Sequence, residues 1–118
     1  MTEVEACAAQ NWTVEISDEI AAWYGTLKDK DRAYADAALN RLRDRGPQLC
    51  MPHSRPLDAG LWELRFMCEN VARRITYYFD GERKVITLTT FRKQRQKEKT
   101  ELTRARRAMK ASREARGS

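Results

Sequence analysis

The stretch from residue 61 to residue 91 constrains this chain most. Its side chains alternate with a period of two in three successive runs, and two turn signals separate the runs. In the first run Trp62, Leu64 and Phe66 fall on one side, Glu63 and Arg65 on the other. In the second, residues 71–79, Arg73, Ile75, Tyr77 and Phe79 share a side opposite Arg74, Thr76 and Tyr78. Successive strand residues point to opposite faces of a sheet, so this period predicts strands. The third run, residues 84–91, is rich in β-branched residues, which suit a pleated surface. In it Val85, Thr87, Thr89 and Phe91 alternate with Ile86, Leu88 and Thr90. Glu69-Asn70 reads as a turn, and Asp80-Gly81 is a strong hairpin signal. Three strands on tight turns form an antiparallel meander.

The half before the meander is helical in period. Residues 12–16 alternate apolar and polar residues and predict a short strand, which should join the sheet at an edge. Ser17 or Asp18 can cap the next helix, whose stripe Ile20, Trp23, Tyr24 and Leu27 follows i, i+3, i+4 and i+7. A polar break over 28–31 leads to a second helix over 32–45, stopped by Gly46-Pro47. The two helices form a hairpin that covers one sheet face. Residues 48–60 hold Pro52 and Pro56 and read as a loop. Residues 94–116 have helical composition but a thin apolar stripe of Leu102, Ala105, Ala108 and Met109, which suits weak packing or a partner. The expected fold is α+β: a small antiparallel sheet (three-stranded meander plus N-terminal edge strand) under a helical hairpin in two layers, with a basic C-terminal helix. Residues 1–11 read as a flexible lead, 12–93 as the folded domain and 94–118 as the basic helix and tail.

Composition narrows the function classes. At 118 residues, with 42% hydrophobic and 34% charged residues, the chain is one domain and too apolar to be wholly disordered. No apolar run nears the roughly 18 residues that span a bilayer, and the first ten residues lack a secretory pattern. No membrane partner is expected. Cys7, Cys50 and Cys68 are widely spaced, and His53 is the sole histidine. Neither a zinc site nor a disulfide framework fits; a reducing cytoplasm does, with each cysteine a small buried apolar residue. No cofactor or metal is expected.

The net charge of +6 is unevenly placed. From residue 92 onward there are eleven Lys and Arg against three Glu; the rest holds twelve basic and fourteen acidic residues. A polyanion is the first partner to consider. Arg65 and Arg74 can share a face of neighbouring strands, and Arg92, Lys93, Arg95 and Lys97 come where the third strand ends. Arg74, mid-strand among aromatic residues, needs a carboxylate or phosphate partner, because an unpaired buried charge is costly. Glu63 is the candidate internal one. If the ligand is RNA, the 2′-hydroxyl can attack the adjacent phosphate and expel the 5′-oxygen, with cations stabilising the transition state. A single histidine excludes two-imidazole catalysis. Lys93, with a lowered pKa among other cations, is the candidate base or acid, followed by Tyr77 or Tyr78.

Three segments carry a family resemblance: Leu61-Trp62-Glu63-Leu64-Arg65, the run Ala72-Arg73-Arg74-Ile75-Thr76-Tyr77-Tyr78, and the ending that starts Leu88-Thr89-Thr90-Phe91-Arg92-Lys93 and continues to Lys99. In this order, on this architecture, the chain resembles the RelE/ParE-type toxins of type II toxin–antitoxin systems, and most closely their HigB-like, phage-derived branch. The resemblance implies a ribosome-dependent mRNA endonuclease that inhibits translation and is neutralised by a cognate antitoxin, a helix-turn-helix protein. It maps the family's strand arginines onto Arg65 and Arg74 and its lysines onto Lys93 and Lys97. Arg74, Arg65 and Lys93 would then be catalytic, with Arg92, Arg95, Lys97 and Arg73 holding RNA. His53, in a loop where some HigB-like toxins place a histidine, and Tyr78 are the acid–base candidates. The chain departs from the pattern at Glu63, where RelE has a lysine-rich strand, at the absence of a tyrosine after Phe91, and at Glu98 in place of a proline. The base and acid stay unassigned. Two alternatives share the fold: a ParE-like poison of DNA gyrase, and a non-catalytic binding or regulatory protein.

Overall fold

The computed structural model describes residues 11–81 and 83–117; the lead over 1–11, apart from Asn11, and Cys7 lie outside them. Elements follow in the order β1 (Thr13–Glu15), α1 (Asp18–Gly25), α2 (Asp29–Arg45), β2 (Ser54–Asp58), β3 (Leu61–Cys68), β4 (Val71–Asp80), β5 (Lys84–Arg92) and α3 (Glu98–Gly117). Short 3-10 turns occupy Gly46–Gln48 and Arg95–Lys97. The five strands form one sheet in the order β1-β5-β4-β3-β2. The α+β class and the meander hold, as do the edge position of β1, the helical hairpin and the C-terminal helix.

The structure corrects four details. β1 pairs parallel to β5, with Val14 opposite Val85, so the sheet is mixed. The proline-containing loop contains strand β2, antiparallel to β3. Pro56 fits there because β2 is an edge, where a residue without an N–H leaves no ladder bond unmade; the register shifts between Pro56 and Asp58. β5 is irregular where it pairs with the span between Ile75 and Tyr77 of β4. Phe91 therefore lies opposite Arg74 while Val85 lies opposite Phe79, and the simple alternation of this strand breaks. Lastly, α3 packs on the sheet, so the molecule has three layers.

The hairpin face buries Ile20, Ala38, Leu42, Leu64, Ile75, Tyr77 and Val85. Ser17 caps α1 by accepting from the Ile20 N–H. Gly46 ends α2 at φ 52°, and a Cβ there would lie 2.5 Å from Trp12 Nε1, so only glycine fits. The opposite face buries Leu61, Tyr78, Ile86 and Leu88 under Ala105 and Met109 of α3. Ala105 is 0% exposed; a small residue lets the helix approach the strands closely, which compensates for a thin stripe. Ser112 and Tyr78 share a 2.7 Å hydrogen bond. Arg104 donates to Glu19 (2.6 Å), Glu101 and the Thr90 carbonyl. Arg106 reaches Asp58, and Arg116 pairs with Glu15 at 2.8 Å. The C-terminal cations thus pin α3 to acidic residues of the preceding half. Among the described residues, no helix is long and apolar enough to cross a membrane.

Candidate functional site: a cationic cleft on the sheet

α3 covers only part of its sheet face. The remainder forms a cleft of about 480 Å³, floored by β2, β3, β4 and β5 and walled by the first turn of α3. Strand alternation sends Glu63 and Arg65 of β3 and Arg74 and Thr76 of β4 to this side. Arg65 and Arg74 stand directly opposite each other, as do Arg55 and Glu63. Lys93 follows β5, its backbone N–H held by the Ala72 carbonyl at 2.8 Å. The lining holds five cations (Arg55, Arg65, Arg74, Lys93 and Lys99) and three carboxylates (Glu63, Glu98 and Glu101).

The three residues read as catalytic are therefore brought together. The internal partner is also real. Glu63 is 4% exposed, and its Oε2 lies 3.2 Å from Arg55 Nε, 3.6 Å from Arg74 Nε and 3.8 Å from Arg65 Nε. One carboxylate cannot neutralise three guanidinium groups, so the cleft stays cationic. Arg74 is 6% exposed. Burial lowers its pKa from the ordinary guanidinium range; Glu63 raises it, and Arg65 and Arg55 lower it further. No carboxylate of the described residues lies within ion-pair distance of the exposed Lys93.

Other expected site residues lie elsewhere. Arg73 faces the hairpin, as its alternation with Arg74 requires: it sits 4.8 Å over the Trp23 ring and pairs with Glu69. Burial lowers its pKa, while Glu69 raises it. Arg92 lies opposite Arg73 in the register, and Arg95 and Lys97 are exposed in the turn before α3; none of the three lines the cleft. Tyr78 lies under α3, with Arg113 5.0 Å over its ring. Tyr77 lies under the hairpin, bonded to Ser54, and burial pushes its phenol up to about 12. His53 does not line the cleft either, though its carbonyl accepts from the Arg65 N–H at 2.8 Å. Cys68 is buried, with its thiol pKa pushed up by that burial, but Cys50 is exposed, contrary to expectation.

Sequence reasoning missed Arg55, Lys99, Glu98 and Glu101. Arg55 was hidden by the prolines around it, although Arg55 and Leu57 alternate with Ser54 and Pro56 as an edge strand would. The other three depend on where α3 begins, and the residues before it carry no sharp capping signal.

Fold and cleft define a class: a small α+β protein with a cation-lined site on one face of its sheet. The chain belongs to the phage-derived Gp49-like family, a RelE/toxin-like family, whose model (Phage derived protein Gp49-like, DUF891) matches residues 22–111. The match spans α1 to α3 and takes in every residue of the cleft. No curated protein matches the chain.

Proposed function

We propose that this protein is the toxin of a type II toxin–antitoxin system, of the HigB-like kind, and acts as an endoribonuclease on translated mRNA. The observation that carries the reading is the convergence of Arg55, Arg65, Arg74 and Lys93 on one cleft with a single buried carboxylate among them. Arg74 and Arg65 clamp the scissile phosphate, which guanidinium forks suit through paired N–H donors. The substrate's 2′-hydroxyl attacks the phosphorus, its proton passes to a base, and the bond to the 5′-oxygen breaks as that oxygen gains a proton. Charge accumulates on the non-bridging oxygens. Arginine donors fixed beforehand stabilise it, each typically contributing ~3 kcal/mol. Lys93 supplies further charge or a proton. Arg55 and Lys99 hold the flanking backbone, with the exposed Arg92, Arg95 and Lys97, outside the cleft lining, left for ribosomal RNA. The neutralising partner is a cognate antitoxin.

Expression of the protein should arrest translation, with new 5′ ends of cellular mRNA mapping inside reading frames by primer extension. Arg74→Ala should abolish both effects. Arrest without mRNA cuts, accompanied by trapped gyrase–DNA complexes, would move the protein to the gyrase-poison class. One observation favours a non-catalytic binder: Glu63 already occupies part of the cation array. Harmless overexpression, with intact mRNA, would support that reading.

A further inference from the structure

The cleft carries an anion of its own, at its centre rather than its rim. Arg55, Glu63 with Arg65, and Arg74 come from three adjacent strands, and the register sets Arg65 against Arg74. Like charges directly opposite on neighbouring strands repel, and a buried guanidinium without a counter-charge is costly. Glu63 answers both problems with one oxygen. Each arginine approaches it through Nε, at 3.2, 3.6 and 3.8 Å for Arg55, Arg74 and Arg65. These contacts are ion pairs rather than hydrogen bonds, and Arg65 Nε is buried with no hydrogen-bond partner among the described residues. Arg74 Nη1 donates to the Arg73 carbonyl at 3.1 Å, Arg65 Nη1 lies 3.0 Å from Met51 Sδ, and Arg55 Nη2 is 3.9 Å from Glu98. Neither Arg65 Nη2 nor Arg74 Nη2 bonds to a described residue.

We propose that Glu63 is the positioning residue of this site: its charge gathers Arg55, Arg65 and Arg74 around one oxygen and leaves Nη2 of Arg65 and Arg74 for a phosphodiester. The role rests on reading the cleft as an RNA-cleaving site. With three cations around its Oε2, Glu63 is assigned this positioning role and not that of the base. It also sets the charge of the array. With it, the arginines stay ordered and the excess of positive charge is limited; without it, the cleft gains charge and loses order.

The test separates these effects. Glu63→Gln keeps the side chain's size and removes its charge. It should bind a non-cleavable 2′-O-methyl oligoribonucleotide several-fold more tightly, with a salt dependence steeper by about one counterion. It should also cleave at least tenfold more slowly at saturating substrate, with the pH profile unchanged in shape. Loss of both binding and cleavage would mean a merely structural role, and loss of a limb of the pH profile would make Glu63 the base; either overturns the proposal, as would wild-type cleavage. Nitrogen-15 NMR of the arginine side chains gives a readout that needs no RNA. Three Nε signals shifted from the free-arginine position by the neighbouring carboxylate are expected in the wild-type protein and in Glu63→Asp, and their collapse toward free arginine in Glu63→Gln. If the glutamine variant does not fold, the aspartate variant decides: shifted signals with slowed cleavage support the role, and signals at the free-arginine position refute it. If the wild-type protein cuts no RNA but shows the three signals, the nuclease reading fails and the arrangement around Glu63 stands.

Discussion

The arginines of α3 and the arginines of the cleft are the same residue type in opposite circumstances. On α3, Arg104 has Glu19 and Glu101, Arg106 has Asp58, and Arg116 has Glu15 and Asp80. In the cleft, Arg55, Arg65 and Arg74 share Glu63. The helix cations are half-exposed and matched by acids, so they hold architecture in place. In the cleft Arg65 and Arg74 are more deeply placed, and the three arginines around Glu63 are undermatched, which leaves them able to bind a further anion. A basic tail is therefore not by itself a nucleic-acid arm. Three of the eleven cations from residue 92 onward, Arg104, Arg106 and Arg116, pair with acids of the half before it.

The comparison is easiest to break at the helix. Ala105→Asp would place a carboxylate at a position with 0% exposure and should lower unfolding stability by about 3 kcal/mol or more, read as a reduced urea midpoint. Next comes the contrast between the buried hairpin face and the open cleft. The Tyr77 phenol is raised from 10.0 to about 12 by burial. A raised folded-state pKa means that the unfolded chain loses its proton first. Stability from this group is whole below pH 10 and declines as pH rises toward 12, by roughly 2–3 kcal/mol. Urea titrations across that window should show the decline in the wild-type protein and lack this component in Tyr77→Phe. Burial alone would lower the pKa of Arg104, but its hydrogen bonds to Glu19 and Glu101 raise it on balance. Because that side chain is 41% exposed, solvent screens the pairs, and Arg104→Ala should cost only about 1 kcal/mol by thermal melting. Smallest of all, Arg107→Ala and Lys110→Ala, both exposed, should leave stability within about 0.5 kcal/mol of wild type.

What could be read beforehand followed from period. Alternation alone places Glu63, Arg65 and Arg74 on one face, because a strand has only two faces and the turns fix which strands are neighbours. The Glu69-Asn70 turn fits that frame: both residues have positive φ, as a tight type I′ turn needs. The same alternation sends Arg73 to the hairpin, so the expectation that it holds RNA conflicted with its own strand. Other parts depended on non-local contacts. Nothing local shows that a proline-bearing segment will be accepted at a sheet edge, so β2 was hidden, and Arg55 with it. A thin stripe on α3 does not reveal that Ala105 is small because the strands come close. The irregularity in β5, which turns Phe91 toward Arg74, leaves no mark in a run of threonines.

The central claim is that the undermatched arginines act on RNA and the matched ones do not. Cleavage rates of ribosome-bound message by Arg74→Ala and Arg116→Ala, measured side by side, test it most directly. Arg74→Ala should fall by about 10²–10³-fold, while Arg116→Ala, at the far end of α3, should cut as the wild-type protein does. Equal losses in the two variants, or full activity in Arg74→Ala, would contradict the account.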